Sequence, residues 1–189
     1  MERSASSKVR PKKSDPGSHH MSSDERIRTR VLDDLQINRK VQRIADQLHE
    51  RYYKESEIVF VGIAPRGTSI SRELVELLES MKAFTCTDVE LKMDKDAPES
   101  TITMSADVSA LEGKVVVLVD DVLQSGRTLM YAAAHLMQVK LKKLTTVVLI
   151  DRRHRSFPIR ADIVGLTLST TMQEHITVDL GDKSAVYLD

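Results

Sequence analysis

The stretch VVVLVDDVLQSGRTL, residues 115–129, constrains the fold more than any other part of this chain. Five consecutive aliphatic residues, Val115, Val116, Val117, Leu118 and Val119, suit a strand covered on both faces, as in the middle of a parallel sheet. The run passes straight into two carboxylates, Asp120 and Asp121. A buried strand gains nothing from ending on adjacent like charges, so the pair points to a partner outside the chain. Beyond it Gly126 permits a turn, and a helix is expected from near Thr128.

Segments on either side repeat the theme. IVFVGIA (58–64) and LTTVVLI (144–150) are short apolar runs of the same kind, and FTCTDVEL (84–91) alternates like a strand with one wet face. Between them the spacing changes to that of helices. From Ser22 the pattern becomes helical, with Ile37, Val41, Ile44, Ala45, Leu48 and Tyr52 on one face, and Ile70, Leu74, Leu77, Leu78 and Met81 mark a second helix. Short strands are expected near 163–168 and 176–180. Residues 92–110 are polar, poorly periodic and long for a connection, which fits a lid or a disordered segment. Strands alternating with helices give an α/β fold with a central parallel sheet flanked by helices, and such sheets bind ligands at the carboxyl ends of their strands. Three polar stretches, 65–69, 120–128 and 151–160, fall at that edge.

Length and charge narrow the class. The 189 residues suit one domain, expected over residues 22–189, large enough to bury a core without cross-links. Lys plus Arg equals Asp plus Glu at 28 each, so no overall field draws the protein to nucleic acid or membrane. An anionic ligand must therefore meet a local site. Cys86 is the single cysteine, which excludes an internal disulfide and a Cys-rich zinc site and fits a reducing cytoplasm. No apolar stretch approaches the ~18 residues of a membrane helix, and no export signal is visible. Residues 1–20 carry no period, and their net charge of +3 leaves the remainder at −3. Residues 1–21 read as a disordered tail; GSHHM resembles a cloning remnant and Met21 a native start.

The turn after the acids has its own chemistry. Ser125 and Thr128 offer hydroxyls, and amides at a helix N-terminus offer donors and a positive dipole end for phosphate. Asp120 and Asp121 have the wrong sign for phosphate and suit sugar hydroxyls or a magnesium shell. Together they describe a site for a phosphorylated sugar; the plain alternative is a helix cap preceded by a solvated acidic turn. No GKS or GKT closes the loop, which excludes a Walker motif.

An apolar strand, two acids and a short Ser/Thr-Gly phosphate loop are the signature of the type I phosphoribosyltransferases, which VVLVDDVLQSGRT (116–128) resembles along its length. VGIAPRG and LIDRRHRSFPIRADIVG narrow the likeness to the pyrimidine-operon attenuator proteins that double as uracil phosphoribosyltransferases, over residues 35–181. The resemblance implies the type I phosphoribosyltransferase fold, a parallel core with a small hood from the chain-terminal segments. It implies that Asp120 and Asp121 hold the ribose hydroxyls of phosphoribosyl pyrophosphate (PRPP), with Mg²⁺ held mainly through PRPP and close to those acids. Val122, Leu123, Gln124, Ser125, Gly126, Arg127 and Thr128 would cradle the 5-phosphate, and Ala64, Pro65, Arg66 and Gly67 the pyrophosphate, with Arg152 meeting it from the basic stretch Arg152, Arg153, His154, Arg155. It also implies a cis Ala64–Pro65 bond, the alternative being an ordinary turn proline, and a homodimer or larger assembly. The base is a nitrogenous ring, uracil first. Cys86, His135, Met130 and Met137 are read as packing residues without chemistry.

The chain departs from the family in three places. The lid, which in the family begins with Arg-Asp, reads Lys92, Met93, Asp94, Lys95, leaving Lys92 or Lys95 as a point charge for pyrophosphate. Leu166 stands where relatives often carry a lysine near the base. The RNA-binding surface of the attenuators would here comprise Arg43, Arg51, His154, Arg155 and Arg160, with Asp46 placing a repelling charge among them. The second reading is thus an RNA-binding regulator of pyrimidine genes that uses the PRPP site as a nucleotide sensor, and a third is a binding protein that has lost turnover.

Overall fold

The computed structural model describes residues 28–153, 155–169, 174–181 and 183–189. The expected tail and His154 lie outside them. In chain order the elements are β1 (Thr29–Leu32), α1 (Asp34–Tyr52), β2 (Glu57–Ile63), α2 (Arg66–Ser80), β3 (Thr85–Lys92), β4 (Thr103–Met104), a 3-10 turn (Val108–Leu111), β5 (Val115–Leu123), α3 (Arg127–Leu136), β6 (Lys143–Arg152), β7 (Ile163–Leu168), β8 (Ile176–Asp179) and β9 (Ala185–Leu188).

Six strands form the main sheet in the order β4-β3-β2-β5-β6-β7. All neighbours run parallel except β4, which returns antiparallel on β3, so the sheet is mixed. The apolar runs behave as their lack of alternation demands: both faces are covered. Ile58, Phe60, Val115, Val117 and Val119 face a layer holding α1 and α2, while Val59, Val61, Val116 and Leu118 face Leu129, Ala132 and Leu136 of α3. Helix α1 begins on Asp33, whose carboxylate accepts from the Gln36 amide while the Gln36 side chain accepts from the Asp33 amide, a capping box. Its buried stripe is the expected set from Ile37 to Tyr52, and the Tyr52 hydroxyl closes the layer by bonding the Thr145 hydroxyl on β6.

The second sheet is small and built from both ends of the described chain. β9 lies between β1 and β8, antiparallel to each. Arg28 pairs with Asp189 at 2.9 Å, the Thr177 hydroxyl donates to Asp189 at 2.6 Å, and the Ser184 amide donates to Asp34 at 3.1 Å. Leu32, Ile176, Val178 and Val186 turn inward onto the main core. This is the expected hood.

Several boundaries differ from the sequence expectation. The helical pattern read from Ser22 gives way, within the described residues, to β1, with α1 starting only at Asp34; β1 is fixed by pairing with β9, far away in sequence. The PRGTS stretch is the first turn of α2. Residues 92–110 are more ordered than a free lid: they include β4 and the 3-10 turn, and the chain is tied back by Ser105 N to Glu90 O and Glu90 N to Ser105 Oγ, both 2.9 Å.

Candidate active site

The carboxyl edge of the sheet brings the sequence candidates together. β5 runs past the aliphatic stretch and takes in Asp120, Asp121, Val122 and Leu123, because its ladder with the longer β6 continues to Leu123 opposite Asp151. Asp120 and Asp121 are therefore strand residues, only 3% and 4% exposed. Val122 and Leu123, expected in the phosphate loop, are likewise strand residues leading into it; Leu123 is buried in the core. That leaves a tight turn of Gln124, Ser125 and Gly126 before α3.

Gly126 adopts φ +87°, the left-handed region, and an added Cβ would stand 2.7 Å from Ile159 Cγ2, so glycine is required twice over. The turn is braced from the following loop, where the Ser156 and Phe157 amides both donate to Ser125 O at 3.1 and 3.0 Å. Ser125 Oγ accepts from the Arg127 amide at 3.2 Å, which keeps its hydroxyl hydrogen for another acceptor. The α3 ladder opens with the Met130 amide donating to Gly126 O at 3.0 Å, so the amides of Thr128 and Leu129 belong to the open first turn. A concavity of about 40 Å³ lies over this turn, walled by Asp120, Val122, Leu123, Gln124, Ser125, Gly126, Thr128 and Leu129.

Across the gap, β2 ends and α2 begins at once. The Ala64–Pro65 peptide is cis. Pro65 is the N-cap, and the first bond, Ser69 N to Pro65 O at 3.3 Å, leaves the amides of Arg66, Gly67 and Thr68 in the open first turn. Gly67 lets this turn come close to β5: a Cβ there would stand 2.5 Å from the Val119 carbonyl oxygen and 3.1 Å from Asp120 Cα. The two helix N-termini and the acidic pair flank one cavity of about 330 Å³, lined by Arg66, Lys95, Asp96, Asp120, Asp121, Val122, Gln124, Ser125, Thr128 and Ile176. Ile176 is the hood's contribution to the wall.

Lys95 governs the electrostatics. Its ammonium donates to Asp120 Oδ1 at 3.0 Å and to Asp121 Oδ1 at 3.1 Å; Asp120 Oδ1 also accepts from the Asp121 amide at 2.9 Å, and Arg66 reaches Asp121 Oδ2 at 3.4 Å. Burial pushes the Asp120 carboxyl above the ordinary carboxylate range, despite the pull of Lys95. Asp121 goes the other way: burial opposes its charge, but Lys95, the bond to Asp120 and Arg66 together hold it below that range. Lys95 keeps its proton more firmly than a free lysine, since attraction from both acids outweighs its own burial. The environment has split two chemically identical neighbours.

Some candidates sit elsewhere. Arg152 is the buried last residue of β6, 4% exposed, and does not line the cavity. Of the two lid lysines, Lys92 pairs with Glu90 at 2.9 Å on the surface. Among the residues named for RNA, Arg43 donates to Val164 O at 2.9 Å and Gly165 O at 2.5 Å, and Arg155 is ion-paired with Asp151. Both are engaged within the chain, whereas Arg51 and Arg160 are exposed. Sequence reasoning missed Asp96 and Ile176 as wall residues and gave Lys95 a different target; only the fold of the lid and hood brings them here. Among the described residues no three His, Cys, Asp or Glu side chains cluster to hold a metal, and no helix is long and apolar enough to cross a membrane.

A family model described as a phosphoribosyl transferase domain matches residues 28–184. The bifunctional protein PyrR of Enterococcus faecalis is 36% identical over 160 residues, covering 81% of this chain and 90% of that protein. Its counterpart in Macrococcus caseolyticus is 34% identical over 175 residues, covering 87% and 99%. In overall shape the chain is similar to a hypoxanthine-guanine phosphoribosyltransferase from Bacillus anthracis, with a TM-score of 0.66 at 21% identity over 83% of this chain and 96% of that one. The hypoxanthine phosphoribosyltransferase of Trypanosoma cruzi gives a TM-score of 0.68 at 18% identity, over 84% and 95%.

Proposed function

This chain belongs to the phosphoribosyltransferase family, and from that premise we propose that it moves ribose 5-phosphate from PRPP to uracil, releasing pyrophosphate. The observation that carries the reading is the shared cavity between two helix N-termini, with Asp120 and Asp121 at its floor. The amides of Thr128 and Leu129 and the Ser125 hydroxyl suit the 5-phosphate, and those of Arg66, Gly67 and Thr68 suit pyrophosphate. Asp120 and Asp121 then take the ribose hydroxyls.

In the transfer the bond from the anomeric carbon to pyrophosphate breaks, a bond to a ring nitrogen forms, and the base gives up its N–H proton. Positive charge gathers on the ribose as the leaving group departs, so buried carboxylate beneath the ring and donors around the pyrophosphate favour the separated state. No covalent intermediate with the protein is required. Two adjacent carboxylates are oxygen donors suited to Mg²⁺, and since among the described residues no three acidic or imidazole side chains cluster as a metal site, the ion would be held mainly through PRPP; when bound it supplies charge neutralisation for the pyrophosphate. Uracil is favoured by the likeness to the attenuator proteins and by curated relatives named bifunctional protein PyrR.

The test is a panel of uracil, hypoxanthine, guanine, xanthine, adenine and orotate with PRPP and Mg²⁺, scored by pyrophosphate release. Uracil is expected to lead; transfer to a purine alone sinks the assignment of the base. The RNA-binding reading is favoured by the same relatives' names and checked by filter binding to pyrimidine leader RNA across salt concentrations, where a steep slope with sequence selectivity supports it. With Arg43 and Arg155 already engaged, we expect weak binding. A homodimer in the cytoplasm is the proposed setting, and sedimentation of the purified chain tests the assembly.

A further inference from the structure

The segment between β3 and β4 is fastened at two points, and both fastenings use groups that the substrate needs. At one, the Lys95 ammonium bridges Asp120 and Asp121 at 3.0 and 3.1 Å, with its side chain 36% exposed. At the other, Arg127, the first residue of α3 beside the phosphate turn, donates to Glu99 at 2.6 Å and to the Asp96 carbonyl at 3.4 Å. Between them the chain is stiffened by Asp94, whose carboxylate accepts from the Asp96 amide at 2.9 Å.

A lysine sharing two buried carboxylates satisfies them where a sugar diol would otherwise donate. The same oxygens cannot hold the ammonium and the two hydroxyls in full. We propose that Lys95 is a built-in occupant of the ribose-diol site, so that substrate enters by exchange: the diol displaces the ammonium and the phosphate draws the α3 end of the second tie, freeing residues 94–99. The free protein thus holds its acidic pair neutralised and its lid fastened, and substrate binding unlocks the lid. This inference rests on the site reading above and adds to it a competition between Lys95 and the substrate diol for the same oxygens.

Ribose 5-phosphate is the suitable probe because it carries the diol and the phosphate but no pyrophosphate, so any grip of the lid on the leaving group drops out. Titration without magnesium, followed by calorimetry or NMR, is expected to show Lys95→Met binding about tenfold more tightly than the parent, the gain that follows if the self-occupied state holds about nine-tenths of the molecules. Lys95→Arg should bind no more tightly than the parent. Glu99→Gln, which loosens the second tie and leaves the acids and Lys95 intact, should tighten binding by a smaller factor and provides the answer if Lys95→Met folds poorly. Hydrogen exchange gives an independent readout: ribose 5-phosphate should protect amides at 124–128 while speeding exchange at 94–99. Equal affinity in all variants with protection at 124–128 overturns the exchange model and leaves the site standing. Protection of 94–99 on binding overturns it as well. No binding to any variant and no protection at 124–128 overturns the site and this inference together.

Discussion

Asp121 is held below the carboxylate range by Lys95, its bond to Asp120 and Arg66, while its neighbour is pushed above it. Replacing Asp121 with Asn keeps the shape and removes the acceptor charge under the ribose. With about 3 kcal/mol for hydrogen bonds to a charged acceptor, kcat/KM should fall about 100-fold. Melting temperature should fall modestly, because the neutral side chain gives up the attraction of Lys95 and Arg66 that holds Asp121 ionised; unchanged kinetics would remove Asp121 from the site. Cys86 makes the opposite case, a residue with chemistry available and withheld. Burial, helped by Glu79, pushes its thiol from 9.0 to about 11. Since the raised value favours the protonated form, thiolate at pH 8 drops from about one-tenth to about one-thousandth. Alkylation of the native protein should therefore run about 100-fold slower than that of free cysteine and accelerate with rising pH; rapid labelling at pH 8 would contradict the burial assigned to it.

Helix α2 reaches the site only because residue 67 has no side chain. Gly67→Ala would drive a methyl group against the Val119 carbonyl and the Asp120 backbone, neither of which can rotate away. Overpacking of this kind costs about 1 to 3 kcal/mol, or roughly 2 to 12 °C in Tm for a chain of this size, and it should weaken pyrophosphate binding by shifting the α2 amides; differential scanning calorimetry and product inhibition measure both. The elements that place these amides were legible in the sequence because each carries a strong local signal: three aliphatic runs for β2, β5 and β6, and clean helical stripes for α1 and α2. β1, β4 and β9 were not, since segments of two to four residues are too short to show a period and gain their strand form from pairing. The site divides the same way. Asp120, Asp121 and the 124–128 turn stand together in one window, whereas Lys95 meets the acids 25 positions away and Ile176 arrives from the hood, encounters that no local period encodes. Arg152 shows the same limit: its charge suggested a ligand, and its burial at the end of β6 is set by a ladder with β5 and β7 that no local pattern encodes.

At the scale of the molecule, the roof of the site depends on a strand near the end of the chain. β9 is the middle member of the hood sheet, so deleting residues 185–189 strips β1 and β8 of their partner at once and removes the Asp189 links to Arg28 and Thr177. The main sheet keeps all six strands. The truncated chain should thus retain most of its helical circular dichroism while Ile176 loses its support and kcat/KM falls by an order of magnitude or more; full activity in the truncation would show that the hood plays no part in the site. The same arrangement bears on how the protein is made. As a nascent chain leaves the ribosome at about 5–20 residues per second, the core strands can pair before the hood can, because β1 waits, unpartnered, for nearly the whole sequence to emerge. Completion of the hood therefore waits on β9, and a message cut short before it yields a folded core whose β1 and β8 lack their shared partner.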